Sequence, residues 1–354
     1  MKRTSKLSFR EGQTAYILLL PSFIILIVIG FYPLGSVFTN SLTNRTFAGG
    51  APTEFIGLEN YFKLLSLTIQ PVSQQMDEDG SPQIDPETGE VVYERPSMVL
   101  REYNTNFREL NTFNFLGNRY VIGARDRDFI KSLVDTVTFT VLSVFLETMI
   151  GLGVALVLNS QFKGRGVLRA VMLIPWAVPT AVSSRMWEWM FASSRAGIVN
   201  VFGQILGFTN GQFSFLSAES TQLWVMVIID VWKTTPFMAL LILAGLQLIS
   251  NDMYEAAEVD GASKVRQFWS LTLPILKPTI AVALVFRTLD ALRVFDLFQI
   301  VFGMSRYSMA SFTYYELVQN KAMGYSAAAS VVIFILIFFF DVMYIKMIGG
   351  VDDD

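Results

Sequence analysis

The sequence predicts an all-α membrane protein: six transmembrane helices, with an extracytoplasmic insert between the first and the second. Three observations predict it. Several stretches of about 20 residues carry no charge, or only one or two, and that is the length a helix needs to cross a hydrocarbon core of about 30 Å. Charged residues make up 16% of the 354 residues and hydrophobic ones 52%, where a soluble domain carries about 25% charge. Basic residues concentrate in alternate short loops, as they do on the cytoplasmic side of a membrane.

The first span covers residues 14–38, which hold no Asp, Glu, Lys or Arg. It is too long for the apolar core of a cleaved signal peptide, and no small-residue cleavage site precedes a soluble body. The second covers 132–158, where Glu147 is the only charge after Asp135 and faces protein. The third, 168–191, carries Pro175 and Pro179. The fourth, 221–247, contains Asp230 and Lys233, which can pair. The fifth, 279–302, is unusually polar. The sixth, 323–347, is free of charge from Ala322 to Phe340.

Orientation follows from the short loops. Lys2, Arg3, Lys6 and Arg10 precede the first span, Lys163, Arg165 and Arg169 follow the second, and Lys264, Arg266 and Lys277 lie before the fifth. With six spans all three clusters share one side, the cytoplasm. The opposite short loops hold Arg195, Arg306 and Lys321. The division is therefore a cytoplasmic tail at 1–13, an extracytoplasmic insert at 39–131, a transmembrane core at 132–348 with a cytoplasmic loop at 248–278, and a second cytoplasmic tail at 349–354.

Within the insert, the stretch from Asp77 to Glu94 is acidic and turn-rich. Asp85-Pro86-Glu87-Thr88-Gly89 reads as a turn, and Val91-Val92-Tyr93 as a following strand. Contact with an external partner and a tolerated surface insertion both explain the segment. Between the third and fourth spans, Ile198, Phe202 and Ile205 share one face of a short amphipathic helix suited to a membrane interface.

The net charge of -3 gives no reason to expect nucleic acid. There is no Cys and no His, which excludes disulfides, thiolate nucleophiles, Cys/His metal sites and a His general base. A membrane-embedded enzyme lacks its usual groups. No Gly-x-x-x-x-Gly-Lys-[Ser/Thr] loop is present, so the chain does not bind ATP by that means. An ion-coupled secondary transporter would often show inverted repeats, and no such symmetry is visible.

The most informative stretch is Glu255-Ala256-Ala257-Glu258-Val259-Asp260-Gly261-Ala262-Ser263, followed by Phe268-Trp269-Ser270-Leu271-Thr272-Leu273-Pro274-Ile275-Leu276-Lys277-Pro278. Residues 253–260 favour helix. Gly261 can take the left-handed conformation that ends one. Residues 262–271 can form a second helix, which Pro274 and Pro278 stop before the fifth span. A protruding helical hairpin with small residues at Ala256, Ala257 and Ala262 can plug into another protein.

This stretch resembles the EAA motif of ABC importer permeases, matching at Glu255, Ala256, Ala257, Gly261, Leu271, Leu273 and Pro274, before the penultimate span. Residues 230–246 (Asp-Val-Trp-Lys-Thr-Thr-Pro-Phe-Met-Ala-Leu-Leu-Ile-Leu-Ala-Gly-Leu) and 286–298 (Phe-Arg-Thr-Leu-Asp-Ala-Leu-Arg-Val-Phe-Asp-Leu-Phe) are similar to maltose/trehalose-type sugar permeases of the carbohydrate-uptake family. The resemblance covers the first span and roughly residues 130–348. Where that family has a Gly-rich turn ending in Gly-Pro, this chain reads Phe302-Gly303-Met304-Ser305-Arg306-Tyr307.

The resemblance implies the six-helix ABC importer permease fold in a bacterial or archaeal cytoplasmic membrane, both termini cytoplasmic. It implies a non-catalytic subunit that carries a di- or oligosaccharide. Partners would be a second, related permease subunit, a cytoplasmic ATPase dimer, an extracytoplasmic sugar-binding protein and membrane lipid. ATP and Mg would be used by the ATPase, with no cofactor or metal on this chain. Glu255, Ala256, Ala257, Asp260, Gly261, Ala262, Leu273 and Pro274 would form the ATPase-coupling element. A non-sugar solute such as a polyol or glycerol phosphate, or an ion-coupled mechanism, is the alternative.

Charges within spans are costly and mark cavities or partners. Arg287, Asp290, Arg293 and Asp296 recur every three residues. Each step turns the helix about 300°, spreading them over about half its circumference. A self-neutralised ladder and a substrate pathway both fit, and Asp230 and Trp232 join them as pathway candidates. Trp187, Trp189 and Trp224 lie near span ends, as an interfacial belt requires.

Overall fold

The structure is a computed structural model and describes residues 6–50, 52–77, 79–86, 89–194 and 197–349. Residues 1–5 and 350–354 of the expected tails, Arg195, and Glu87-Thr88 of the expected turn lie outside the described residues. The chain forms two compact units, Met1–Ser66 with Thr313–Val332 and Leu67–Phe312 with Ile333–Asp354.

In the first unit, α1 (Lys6–Ile25) passes through a wide π turn at Leu26–Phe31 into α2 (Tyr32–Ser41). α3 (Glu59–Leu65) is tied back to the end of α2. The Asn60 side-chain amide donates to the carbonyls of Ser41 (2.9 Å) and Thr43 (3.0 Å), and the Tyr61 hydroxyl to Ser41 Oγ (2.7 Å).

The second unit opens with a feature that corrects the all-α expectation. β1 (Leu67–Val72), α4 (Pro96–Tyr103), β2 (Arg108–Phe115) and β3 (Asn118–Ala124) form an antiparallel sheet in the order β1-β3-β2, with α4 alongside. Buried Val72, Leu100 and Val121 make its small core. The β2–β3 hairpin turns on Leu116 (φ 48°) and Gly117 (φ 82°), the two positive φ values of a hairpin turn whose twist suits the strands. The expected strand at 91–93 is instead held by isolated bridges, Ile84 to Val91 and Gln74 to Tyr93.

Asp126 then caps α5 (Arg127–Asn159), its carboxylate accepting from Phe129 N at 2.8 Å. The expected continuous third span is broken. It consists of α6 (Arg165–Met172), α7 (Ile174–Ala177) and α8 (Thr180–Met190), with an 89° bend between Arg165–Ala177 and Thr180–Met190. Val178 is extended (φ −70°, ψ 129°) because a following proline disfavours the α conformation, and Pro179 brings no N–H to continue the ladder. α9 (Ile198–Ile205) is the expected short helix. Buried Asn200 anchors it by donating to Ala192 O (2.8 Å) and Phe213 O (2.9 Å), while Ile198, Phe202 and Ile205 stay exposed.

α10 (Glu219–Leu246) runs on through Pro236. α11 (Asn251–Val259) and α12 (Lys264–Gln267) lead to a second π turn, Phe268–Thr272, and straight into α13 (Leu273–Leu292). Pro274 and Pro278 therefore do not stop the helix. In both π turns a proline follows closely, Pro33 and Pro274, and the wider turn relieves the clash of its ring with the preceding turn. The fifth span breaks instead after Leu292 and resumes as α14 (Asp296–Val301). α15 (Met309–Val318) and α16 (Met323–Gly349) complete the chain. Among the described residues five helices are long and apolar enough to cross a membrane, or six if the bent pair is one span.

α5, α10, α13 and α14 share a core containing Phe139, Ile229, Ala291 and Phe298, with Phe139 edge-on to Phe298 at 5.6 Å. Buried Arg306, expected in a loop, grips Asp135 of α5 with Nε–Oδ2 at 2.7 Å and Nη2–Oδ1 at 2.6 Å. Its Nη1 donates to Glu219 O (3.1 Å) and Gln222 Oε1 (3.2 Å) of α10.

α5 and α10 approach closely at Gly151, where a Cβ would lie 3.1 Å from Met238 Cβ and 3.2 Å from Ala239 N. Small residues permit such contacts between membrane helices. Gly151→Leu is expected to destabilise the protein by about 1–3 kcal/mol, read as a lowered Tm in detergent. Gly153→Leu, with nothing within 4 Å of the added Cβ, serves as the control and leaves Tm unchanged.

Candidate functional site

Three helices converge on one guanidinium. Arg287 of α13 is 2% exposed, and Glu147 of α5 is 0% exposed. Arg287 Nε donates to Glu147 Oε2 at 2.5 Å and Nη2 to Glu147 Oε1 at 3.0 Å. Nη2 also pairs with Asp230 of α10, and Nη1 with Asp290 Oδ2 at 3.1 Å. The Thr234 hydroxyl lies 2.5 Å from Glu147 Oε1. Arginine suits this place because it stays charged and its planar fork meets carboxylates two bonds at a time. A buried charge survives only when so paired.

Glu147 is thus not an isolated charge, and Asp230 pairs with Arg287 rather than with Lys233. Nor does a closed ladder form along α13: Arg287 reaches Asp290, but Arg293 Nε donates to its own helix at Leu289 O (3.2 Å).

Beside the network lies a cavity of about 240 Å³, whose charged lining is Asp230, Lys233, Arg287, Asp290, Arg293 and Asp296. Phe139 and Phe295 add aromatic surface. Five of the six pathway candidates therefore meet at one place. The sixth, Trp232, does not line it; it sits edge-on to Trp187 at 5.5 Å. Trp187 also stacks on Phe191 at 5.6 Å, so it belongs to the interior rather than to a belt, whereas Trp189 and Trp224 are exposed.

Two helix breaks open onto this cavity. Between α13 and α14 the chain unwinds, with Phe295 at φ −126°, ψ −61°. The carbonyl of Val294 is satisfied by the Ser308 hydroxyl at 2.6 Å. At the other break, Lys233 Nζ donates to Val178 O at 2.6 Å. The sequence singles out Lys233 and Glu147 without placing them at this site, and gives no sign of Ser308. A lone carboxylate mid-span and a lone arginine mid-span signal one another, since each needs the other.

A second feature lies in residues 251–274. α11 ends at Gly261 (φ 76°). Gly261 N donates to Glu258 O (3.0 Å) and Ala262 N to Ala257 O (2.9 Å), the paired bonds of a Schellman end, which favours glycine at the left-handed position. Ser263 caps α12 by accepting from Arg266 N at 3.4 Å. Lys264 pairs with Glu258 across the break, and this hydrogen bond holds the Glu258 carboxyl below the usual carboxylate range. Glu255, Ala256, Asp260 and Gly261 are exposed, Ala257 and Ala262 half-buried. Leu273 N bonds back five residues to Phe268 O and Pro274 starts α13, so the hairpin is continuous with the helix that carries Arg287. Next to it a cleft of about 530 Å³ is walled by Leu156, Tyr254, Gln267 and Trp269.

The pattern described as "binding-protein-dependent transport system inner membrane component" matches residues 147–345. The trehalose/maltose transport system permease protein MalF of Thermococcus litoralis is 37% identical over 351 residues, covering 97% of this chain and 96% of that protein. The sulfoquinovosyl glycerol transport system permease protein SmoG of Agrobacterium fabrum is 30% identical, covering 99% and 94%. The fold is shared with a subunit of a bacterial alginate ABC transporter crystallised with its alginate pentasaccharide-bound periplasmic protein, at a TM-score of 0.67 and 18% identity over 97% of each chain. On the family pattern across residues 147–345 and the end-to-end likeness to MalF, the chain belongs to the inner membrane components of binding-protein-dependent transport systems.

Proposed function

We propose that this protein is one permease subunit of an ATP-driven sugar importer, with six spans and both termini in the cytoplasm. The observation that carries the sugar reading is the end-to-end similarity to two permeases named for glycosides, trehalose/maltose and sulfoquinovosyl glycerol. The cavity supports it. Three cations and three anions line it together with two phenyl rings, offering donors, acceptors and stacking surface without a net charge that would select an ion.

In this reading a related second permease completes the pathway, and an extracytoplasmic binding protein delivers the sugar on the side of the insert. A cytoplasmic ATPase dimer, which would hold the ATP and Mg, receives Glu255, Ala256, Ala257, Asp260, Gly261 and Ala262. Leu273 and Pro274 would pass the motion into α13. Gly261 is the fixed bend of that lever, and Arg287, Asp290, Arg293, Asp296 and Asp230 face the passing sugar.

The complex purified with this chain is expected to contain an ATPase whose hydrolysis rises when binding protein loaded with trehalose or maltose is added; isolation without any nucleotide-hydrolysing partner would falsify the importer reading. Gly261→Pro should insert into the membrane normally yet lose the stimulation, because a φ of 76° is closed to proline. Wild-type stimulation in that variant removes the lever role. Asp290, whose side chain is 75% exposed, can change without collapse. Asp290→Asn should keep ATPase assembly while lowering uptake by about tenfold, the value of a hydrogen bond to a charged group; unchanged uptake assigns Asp290 to structure. Arg287→Met leaves Glu147 buried without its cation and should cost about 3–5 kcal/mol, seen as loss of folded protein from the membrane fraction.

A further inference from the structure

The 89° bend between α7 and α8 leaves backbone groups that the helices do not satisfy. Val182 and Ser183 both donate to the Pro179 carbonyl, and Pro179 has no N–H of its own. The Val178 carbonyl therefore has no donor from α8. Lys233 of α10 supplies one, with Nζ 2.6 Å from Val178 O. Trp176, two residues earlier, stacks on Phe237 of α10 with centroids 6.2 Å apart and planes 12° from parallel. α10 thus holds the elbow at two points, one an aromatic stack and one a charge-assisted hydrogen bond. Lys233 and Thr180, on either side of that hydrogen bond, also line the cavity of about 240 Å³.

An ammonium has three N–H donors. Among the described residues Lys233 spends one, on Val178 O. A half-buried ammonium keeps whichever oxygens are nearest, and the exchange of one oxygen for another costs far less than leaving the charge unpaired. A hydroxyl-rich molecule in the cavity brings such oxygens.

We propose that Lys233 is a positioning residue that pins the Val178–Pro179 elbow and releases it when a sugar hydroxyl takes over the ammonium. Occupancy of the cavity is thereby reported to α8 by one side chain. This rests on the sugar-importer reading above.

The test uses the complete transporter in lipid vesicles, with ATP hydrolysis measured without sugar and with trehalose- or maltose-loaded binding protein. Lys233→Met removes the pin and is expected to raise sugar-free hydrolysis roughly tenfold, the equivalent of one charge-assisted hydrogen bond, and to shrink the stimulation correspondingly. Lys233→Arg keeps a cationic donor and should restore wild-type behaviour. Pro179→Ala lets Val178 bond within a continuous helix, so it should raise sugar-free hydrolysis by itself, and adding Lys233→Met to it should change nothing more. Additive effects of the two substitutions overturn the proposal, as does wild-type behaviour of Lys233→Met. Should Lys233→Met fail to assemble, Pro179→Ala decides: unchanged sugar-free hydrolysis overturns the proposal. A wild-type complex that no sugar stimulates overturns both this inference and the importer reading; a responsive wild type with silent variants overturns this inference alone.

Discussion

The transmembrane core depends on a single guanidinium that is almost wholly buried. Arg287 cannot shed its charge, so burial obliges the surrounding helices to bring carboxylates to it. Glu147 arrives from α5 and Asp230 from α10. Neither carboxylate could occupy that depth without the arginine, and the two could not be neighbours without it. The bidentate bond to Glu147 also allows one rotation and one height of α5 relative to α13. What hydrophobic contact between membrane helices cannot specify, since lipid tails are as apolar as leucine, the ion network does.

The cavity exists because two helices stop where a regular bundle would continue. Backbone that is not helical is tolerated at membrane depth only when it is buried in protein or lines a cavity. Both breaks meet that condition with borrowed partners, Lys233 at Val178 and Ser308 at Val294. The open ground between the breaks is lined by six charged residues and two phenyl rings.

Much of this is legible in the sequence because the bilayer imposes a length and a polarity that composition alone reveals. Gly261 was readable for a different reason: only a few residue types tolerate its conformation, and glycine leads them. Asp230, Arg287, Asp290, Arg293 and Asp296 stood out as candidates for a pathway or an ion-pair ladder, because a charge inside a span needs a wet or ionic neighbour. The i,i+3 contact of Arg287 with Asp290 was open to the spacing, but the pairings between helices were not. Glu147 is 140 positions from Arg287, and Asp135 is 171 from Arg306, and no local spacing encodes such distances. Proline was ambiguous in the same way: Pro179 ends a helix, while Pro236 and Pro278 ride inside one. Neighbouring donors decide between those outcomes, and they come from elsewhere in the chain. The sheet of the insert leaves only a weak alternation in the sequence, because a layer this small buries few side chains.

The π turn at Phe268–Thr272 has a consequence for how this chain can vary. A turn closed by a bond across five residues holds one residue more than an α-helical turn, and each residue carries about 100° of rotation. The segment thus sets the angular phase between the α11–α12 hairpin and α13. Removing or adding one residue there would swing Arg287 more than a quarter-turn away from Glu147 while leaving every composition-based feature intact. The number of residues between Gly261 and Arg287 is therefore as constrained as their identity, much as a keyway fixes two shafts at one angle.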